Sequence, residues 1–243
     1  MFGFLKKTLP AHFFDGFCDM HCHILPGVDD GVKTEEESVR LLKILEEQGF
    51  RKVIFTPHLM NIYPDNTRES LLRYYEYFKN NAIAHITMEL SLGGEYMFDS
   101  GFAQREAEGL LMLKDKDKMF LIETSYLMCE RGFDDKLFDL LLRGFQPVIA
   151  HPERYQYASK RMIERWHDMG CMLQLNLFSL AGAYGARVMS NAIDIMDKGW
   201  YDFVGTDIHS ERAFNSFVSS IRLKSSHIGH LERLVHNNKI FLG

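Results

Sequence analysis

At 243 residues the chain is long enough for one large domain or two small ones, and it is near the usual length of a single α/β barrel. Apolar residues make up 46% and charged residues 25%, so an ordinary soluble core is expected; the net charge of −5 argues against a general nucleic-acid binder, which would carry a basic surface. Four cysteines, Cys18, Cys22, Cys129 and Cys171, form no CxxC pair, suggesting neither a zinc ribbon nor a disulfide scaffold, and reduced thiols in the cytoplasm are the expectation.

The opening MFGFLKKTLPAHFF is amphipathic but lacks the apolar core and cleavage site of a signal peptide. No apolar run approaches the ~18 residues needed to span a bilayer, so membrane insertion is not expected. GFCDMH (16–21) reads as the first buried strand. TEEESVRLLKILEEQGF follows as a helix: Thr34 and Glu37 form a capping box, Val39, Leu42 and Leu45 share one face, and Gly49 stops it. Five further apolar runs read as strands, VIFT (53–56), AHITMELS (84–91), MFLIET (119–124), PVIA (147–150) and CMLQLNL (171–177), and FVGT (203–206) makes the last. Helical patterns lie between and after them: TRESLLRYYEYFKN, DDKLFDLLLRG, RMIERWHDMG, ARVMSNAIDIMDKG and HIGHLERLVHNN. The tyrosines and Phe78 of RYYEYF read as a packed helix face.

Strand–helix alternation along the whole chain predicts parallel strands joined by crossover helices. Seven strands fit either an open doubly wound sheet or a barrel. No Gly-rich phosphate loop follows the first strand, which removes the main support for a nucleotide-binding open sheet. No linker, low-complexity tract or repeat divides the chain, so one domain is favoured.

Almost every strand run ends in polar residues. The first ends in HCH, giving His21 and His23, and VDDG follows with Asp29 and Asp30. The others lead to His58 in TPH, Glu95 in GGEY, Glu123 in ET, His151 and Arg154 in AHPER, and Asp207 and His209 in GTDIH; the sixth contains Gln174 and Asn176. In a parallel barrel these points reach one rim, the C-terminal face where barrel enzymes keep their chemistry. In HCH and DIH the two side chains are two residues apart, so on a strand they share a face and can hold one ion. Imidazole with carboxylate suits zinc, manganese or iron. A carboxylate such as Glu95 can bridge two ions ~3.5–4 Å apart, the arrangement that handles phosphoryl transfer.

Each motif alone has a plainer reading. HxH can be a surface strand end, VDDG a tight turn, TPH and HPER ordinary loops, and Glu95 a solvated charge. Glu123 is harder to dismiss, because an unpaired buried carboxylate costs several kcal/mol. A run of such coincidences at successive strand ends favours the metal site. Cys22, between two inward histidines, should face away and pack. His12, His85, His167, His227, His230 and His236 lie off the strand ends and read as surface or core histidines. Met97 and Phe98 fit either the core or a pocket mouth.

The ordered set HxH, DDG, TPH, GGE, HPER and TDxH resembles the PHP (polymerase and histidinol phosphatase) superfamily. Within it, HCHILPGVDDG, FTPH, GGEY, IAHPERY and GTDIH are similar to the CpsB-type protein-tyrosine phosphatases of bacterial capsule and exopolysaccharide loci, over roughly residues 17–220. The resemblance implies a distorted (β/α)7 barrel and two or three divalent metals at the C-terminal rim, manganese foremost, with iron or zinc as alternatives; one domain is expected over residues 1–243, and residues 1–16, which precede the first strand, depart from the family pattern as an N-terminal extension. By motif, His21, His23, Glu95 and Asp207 would hold the first metal, Glu95, Glu123 and His151 the second, and Asp30, His58 and His209 the third. Arg154 matches the family's phosphate-binding arginine and Arg212 is the candidate for a second; with Asp207 and His58 these are the catalytic candidates. A salt bridge to Glu153 or a loop carboxylate is the plainer role for Arg154.

The implied activity is phosphotyrosine hydrolysis by a metal-activated hydroxide. The implied partner is the tyrosine-rich tail of a membrane-associated tyrosine autokinase. Rival readings are another phosphoesterase of the superfamily, such as a histidinol-phosphate phosphatase or a nuclease, and a non-catalytic metal-binding regulator of polysaccharide synthesis. No Cys-x5-Arg loop is present, so no cysteine nucleophile is expected.

Overall fold

The computed structural model of the chain describes residues 6–83 and 86–242. His85, and the start of the strand expected at 84–91, lie outside the described residues, as do residues 1–5 of the N-terminal extension. The elements run β1 (Phe17–Cys22), α1 (Glu35–Glu47), β2 (Phe50–Phe55), β3 (His58–Leu59), α2 (Arg68–Asn81), β4 (Glu89–Leu92), β5 (Glu95–Met97), α3 (Phe102–Ala107), β6 (Met119–Glu123), α4 (Phe133–Leu142), β7 (Gln146–Ala150), α5 (Lys160–Met169), β8 (Met172–Asn176), α6 (Ala186–Lys198), β9 (Phe203–Gly205), α7 (Glu211–Val218) and α8 (Ser225–Asn237). This is an α/β fold whose named strands all pair in parallel, in a three-stranded sheet, β1-β2-β4, and a six-stranded sheet, β3-β5-β6-β7-β8-β9.

Two of the seven expected strand runs are each followed by a short further strand, and the reason for the break is local. Pro57 has no N–H to donate to a ladder, so β2 stops before it and β3 starts after it. Across from it Gly93 and Gly94 separate β4 from β5; a Cβ on Gly94 would lie 2.5 Å from Leu59 Cδ1. The two breaks stay in register. Gly93 N donates to Phe55 O (2.8 Å) and Glu95 N to Pro57 O (3.0 Å), so the chain crosses from one sheet to the other without orphaning its backbone. The strand expected at 84–91 lies instead at 89–92. Thr87 and Met88 are held outside it by the Glu46 carboxylate, whose Oε1 accepts from both backbone N–H groups and from the Thr87 hydroxyl.

Helix α1 shows how capping chemistry sets a boundary. Thr34 Oγ1 accepts from Glu37 N (3.2 Å), one half of the expected box; Glu37 Oε2 accepts from Lys33 N rather than from Thr34 N. Its inner face carries Leu41, Leu42 and Leu45, all buried. On α2, Tyr75 and Phe78 are buried as expected of RYYEYF, but Tyr77 points to solvent. Helices α3 and α7, which sequence periodicity did not reveal, span only 6 and 8 residues, too short for the 3.6-residue pattern to stand out.

The core has two parts. A smaller cluster takes Cys18 and Met20 from β1, Ile54 from β2, Leu121 from β6, Val148 from β7 and Phe203 from β9. The larger one lies between strands and helices. Between β1 and the β9 end, side chains do much of the joining. Asp19 accepts from Thr206 N (3.0 Å) and from its hydroxyl. Asn238, buried after α8, donates to Cys18 O and Val204 O and accepts from Val204 N. Higher up, Asp207 N donates to His21 O (2.8 Å) and His23 N to Ile208 O (2.9 Å). The described part of the extension packs at the opposite end: Phe14 stacks on Phe50 at 4.9 Å, and Lys7 pairs with Leu223.

Candidate metal centre

Strand ends and the turns beside them bring the nine candidate ligands together. β1 carries His21 and runs on to His23, whose Nε2 atoms lie 3.3 Å apart; Cys22 between them turns away, its Sγ toward Ile54 O. Glu95, first residue of β5, stands at the middle. Its Oε2 is 3.3 Å from His21 Nε2, 3.2 Å from His23 Nε2 and 3.0 Å from His58 Nδ1, and its Oε1 is 3.0 Å from His151 Nε2. Asp207 Oδ1 lies 3.4 Å from His21 Nε2 and 3.2 Å from His23 Nε2. Glu123, at the end of β6, reaches His58 Nδ1 at 3.1 Å. Asp30 Oδ1 lies 3.5 Å from both His58 Nε2 and His209 Nε2.

Four groupings have donor atoms all within 4.8 Å of one another: His23–Asp30–His58–His209, His21–His23–Glu95, His21–His151–Asp207 and His58–Glu95–Glu123. Together they use each of the nine residues. They also link His58 to Glu95 and Glu123, and His23 to the Asp30 group, across the three sets that the resemblance implies.

The backbone is shaped to deliver these groups. His151 (φ 32°) and Asp207 (φ 53°) occupy the left-handed region, which costs a non-glycine residue about 1–3 kcal/mol and concentrates at functional sites. Two glycines allow close approach. A Cβ on Gly31 would lie 2.1 Å from His23 O, and one on Gly205 would lie 2.6 Å from His21 Cβ. The glycines of VDDG and GTDIH therefore let a turn and a strand end close around the two histidines.

Partners on the far side of the rings set the tautomers. His21 Nδ1 donates to Gln174 Oε1 (3.0 Å), His23 Nδ1 to Asp29 Oδ2 (2.8 Å) and His209 Nδ1 to Asp207 O (2.8 Å). Each bond puts the ring proton on Nδ1 and leaves the Nε2 lone pair facing the cluster, as a metal-bound imidazole requires. Asp29 also accepts from Gly31 N and His58 N, so it organises the whole turn. Gln174 accepts from His151 N as well.

The donor set fits cations. His58 Nδ1, Glu95 Oε2 and Glu123 Oε1 are buried and within 3.0–3.1 Å of contact, yet none has a hydrogen bond. Buried nitrogen and carboxylate atoms converge there without hydrogen bonds, which is costly unless a cation takes the place. Charge balance agrees. Burial opposes charge on His21, yet Glu95 and Asp207 outweigh it and raise its pKa; His58 is pushed up to about 10 against the same burial by Glu95. Burial likewise opposes ionisation of Glu95 and Asp207, yet the imidazoles, His21 first, hold both well below the usual carboxylate range. The surplus negative charge that does this is what a cation would neutralise.

Beside the cluster opens a cleft of about 470 Å³, reaching Asp30, His58, Glu123, Asp207 and His209 and walled by Met60, Met97, Phe178 and Phe217. Met97 thus belongs to the mouth, whereas Phe98 packs against Phe102 and Phe133. Arg154 lines the cleft, and its Nη1 donates to Asp207 Oδ2 (2.7 Å). Glu153 instead turns inward, accepting from Asn176 N, Ser179 Oγ and Tyr201 Oη. Arg212 is exposed on the first turn of α7 and lines a neighbouring depression that shares His209 with the cleft. No motif in the sequence marks a role for Asp29, Tyr126, Tyr184, or the amides of Gln174 and Asn176. Amides inside the apolar run CMLQLNL were a legible signal for the last two. The tyrosines offered none, because they lie in irregular segments.

The family model of CpsB/CapC, capsular polysaccharide synthesis, matches residues 17–223. The chain belongs to the CpsB/CapC family. Tyrosine-protein phosphatase YwqE of Bacillus subtilis is 28% identical over 200 residues, covering 81% of this chain and 79% of YwqE. The putative tyrosine-protein phosphatase CapC of Staphylococcus aureus is 26% identical over 235 residues, covering 92% and 90%. In three dimensions the chain is similar to a structure from a crystallographic study of YwqE from Bacillus subtilis and CpsB from Streptococcus pneumoniae, described as unique metal-dependent tyrosine phosphatases. The TM-score is 0.78 and the identity 25%, covering 93% of this chain and 94% of that one. All nine candidate ligands and Arg154 fall within the span matched to the CpsB/CapC family. No helix among the described residues is long and apolar enough to cross a membrane.

Proposed function

We propose that this CpsB/CapC-family chain is a metal-dependent protein-tyrosine phosphatase, a phosphoric monoester hydrolase acting on phosphotyrosine in the tail of a capsular or exopolysaccharide tyrosine autokinase. The observation that carries the reading is the convergence of nine imidazole and carboxylate groups beside an open cleft lined by an arginine. We read the molecule as one domain, a distorted barrel whose seam runs between β1 and β9, with the centre at its C-terminal rim. Two or three divalent ions, manganese foremost, would be held by His21, His23, Glu95 and Asp207, by Glu95, Glu123 and His151, and by Asp30, His58 and His209. Bound there, such ions supply an activated water and positive charge beside the phosphoryl oxygens.

The protein's own groups do the rest. Gln174 and Asp29 keep His21 and His23 in the donor tautomer. Arg154 offers a planar fork that offsets charge developing on the phosphoryl oxygens. Met60, Met97, Phe178 and Phe217 give the cleft an apolar wall on which a phenyl ring can rest. Phenol leaves with a pKa near ~10, so a dedicated general acid is not demanded. Thiol chemistry is disfavoured: Cys18, Cys22 and Cys171 are buried, and burial pushes the Cys171 thiol up to about 12.

The test compares release of phosphate from a phosphotyrosine peptide and from histidinol phosphate, together with cleavage of single-stranded DNA, each with added manganese and with excess chelator. Manganese-dependent turnover favouring the peptide is expected. Preference for either other substrate, or full activity in chelator, would overturn the reading.

A further inference from the structure

The Arg154 side chain is held in a way that its charge alone does not require. Its guanidinium carbon lies 4.4 Å from the ring centroid of Tyr126 and 4.1 Å from that of Tyr184. Tyr126 stands just beyond β6, and Tyr184 in the irregular segment before α6. Both rings are themselves tethered to candidate ligands. Tyr126 Oη donates to Glu123 Oε2 (3.2 Å); Tyr184 Oη accepts from Asn176 Nδ2 (3.0 Å) and lies 3.5 Å from Asp207 Oδ2. Asn176 Nδ2 also donates to Asp207 Oδ2 (2.7 Å), the oxygen that Arg154 engages.

We propose that Tyr126 and Tyr184 form a two-ring clamp that orients the Arg154 guanidinium for a phosphoryl group in the cleft, making both positioning residues for the phosphatase reaction. The inference rests on the phosphatase reading given above and extends it to two residues that are not themselves candidate metal ligands.

A long arginine chain ordinarily samples many rotamers, and each must be given up when it binds an anion. Two aromatic contacts remove that freedom beforehand while leaving the edge of the fork accessible, since stacking engages the face of the guanidinium and hydrogen bonds its rim. One N–H is committed to Asp207, and Arg154 with both tyrosines lines the same cleft as Asp207 and Glu123. An anion reaching the candidate ligands therefore meets a guanidinium already fixed in orientation. A lysine at this position would have neither a planar face for the rings nor a fork for phosphate.

The test uses the full chain loaded with manganese. Wild type, Y126L, Y184L, the double Leu variant, Y126F, Y184F and Arg154→Ala are compared by kcat and KM on a phosphotyrosine peptide, and by inorganic phosphate binding in a calorimeter. Metal content and melting temperature are recorded alongside. Each Leu variant should weaken phosphate binding and lower kcat roughly 3- to 30-fold, the range between an exposed and a desolvated cation–π contact. The double variant should approach Arg154→Ala. The Phe variants keep the rings and should lose less than the Leu variants. In an Arg154→Ala background the Leu substitutions should cost no more than the Phe substitutions, which already remove the hydroxyl contacts to Glu123 and Asp207, because the rings act only through the arginine.

Wild-type phosphate affinity in the double Leu variant would overturn the proposal, as would equal losses with and without Arg154. Should the Leu variants fail to fold, the wild-type protein decides through the Arg154 Nε–H resonance. A clamped guanidinium gives a ring-shifted, slowly rotating signal, and an unshifted, freely rotating one refutes the clamp. If the peptide is not hydrolysed at all, the phosphatase reading fails, while phosphate binding and the resonance still judge the clamp.

Discussion

At the scale of single residues, the centre depends as much on what holds the ligands as on the ligands. Asp29 is the clearest case. It sits beside Asp30 in VDDG, yet the two do different work: Asp30 is half exposed and approaches His58 and His209, while Asp29 is buried and grips His23 Nδ1, His58 N and Gly31 N. Removing such an outer partner typically costs ~10–100-fold in metal affinity. Asp29→Ala should therefore lower manganese affinity by about that factor, read by titration against a competing chelator, and Asp29→Asn by less. Unchanged affinity in Asp29→Ala would show that His23 is oriented by packing alone. Arg154→Ala separates the other way. It removes a charge-stabilising donor that is not itself a candidate ligand, although it pairs with one, Asp207, so kcat should fall by ~100-fold or more while most of the metal content is kept. A correctly metallated variant with wild-type kcat/KM would remove Arg154 from the mechanism.

At the scale of elements, strand ends are placed by a few side chains and glycines rather than by ladders alone. Asn238 makes three hydrogen bonds from a fully buried position, to β1 and to β9. Asn238→Ala would leave Val204 N and two carbonyls without those partners, at about 1–3 kcal/mol. A drop of several degrees in melting temperature is expected, and no change would mean that water replaces the amide. Gly205→Ala tests the strand end beneath His21: its Cβ meets His21 Cβ at 2.6 Å, so reduced metal content should accompany reduced stability. The strand–helix alternation was legible in the sequence because buried parallel strands read as short apolar runs. So were the ligands, because polar residues at the ends of such runs violate the local pattern. What escaped was non-local. The break at Gly93–Gly94 shows only when Leu59 is placed opposite, and Asn238 is an unremarkable helix-end residue until β1 and β9 are brought beside it. Tyr126 and Tyr184 carry no period and no motif, so only the folded chain relates them to Arg154.

At the scale of the whole molecule, the centre gathers residues from β1 through the segment after β9, so its cohesion and that of the fold are linked. Four candidate carboxylates, Asp30, Glu95, Glu123 and Asp207, crowd one centre, and three of them are almost wholly buried. Without cations, their mutual repulsion must be offset by imidazoles drawn toward the protonated state, which burial itself opposes. With cations, each ligand gains a partner that the unfolded chain cannot assemble. Metal should therefore stabilise the folded state by mass action, about 2.7 kcal/mol when free ion exceeds its dissociation constant ~100-fold. For a chain of this length that corresponds to a rise of about 5–10 °C in melting temperature. The measurement is a calorimetric scan of chelator-treated protein against increasing manganese, with Glu95→Gln as the comparison. Glu95 touches four imidazoles at once, so its amide variant should lose most of the metal-dependent rise. A melting temperature indifferent to chelator and manganese, in protein whose metal content is shown to change, would mean that the nine side chains hold one another without need of a cation.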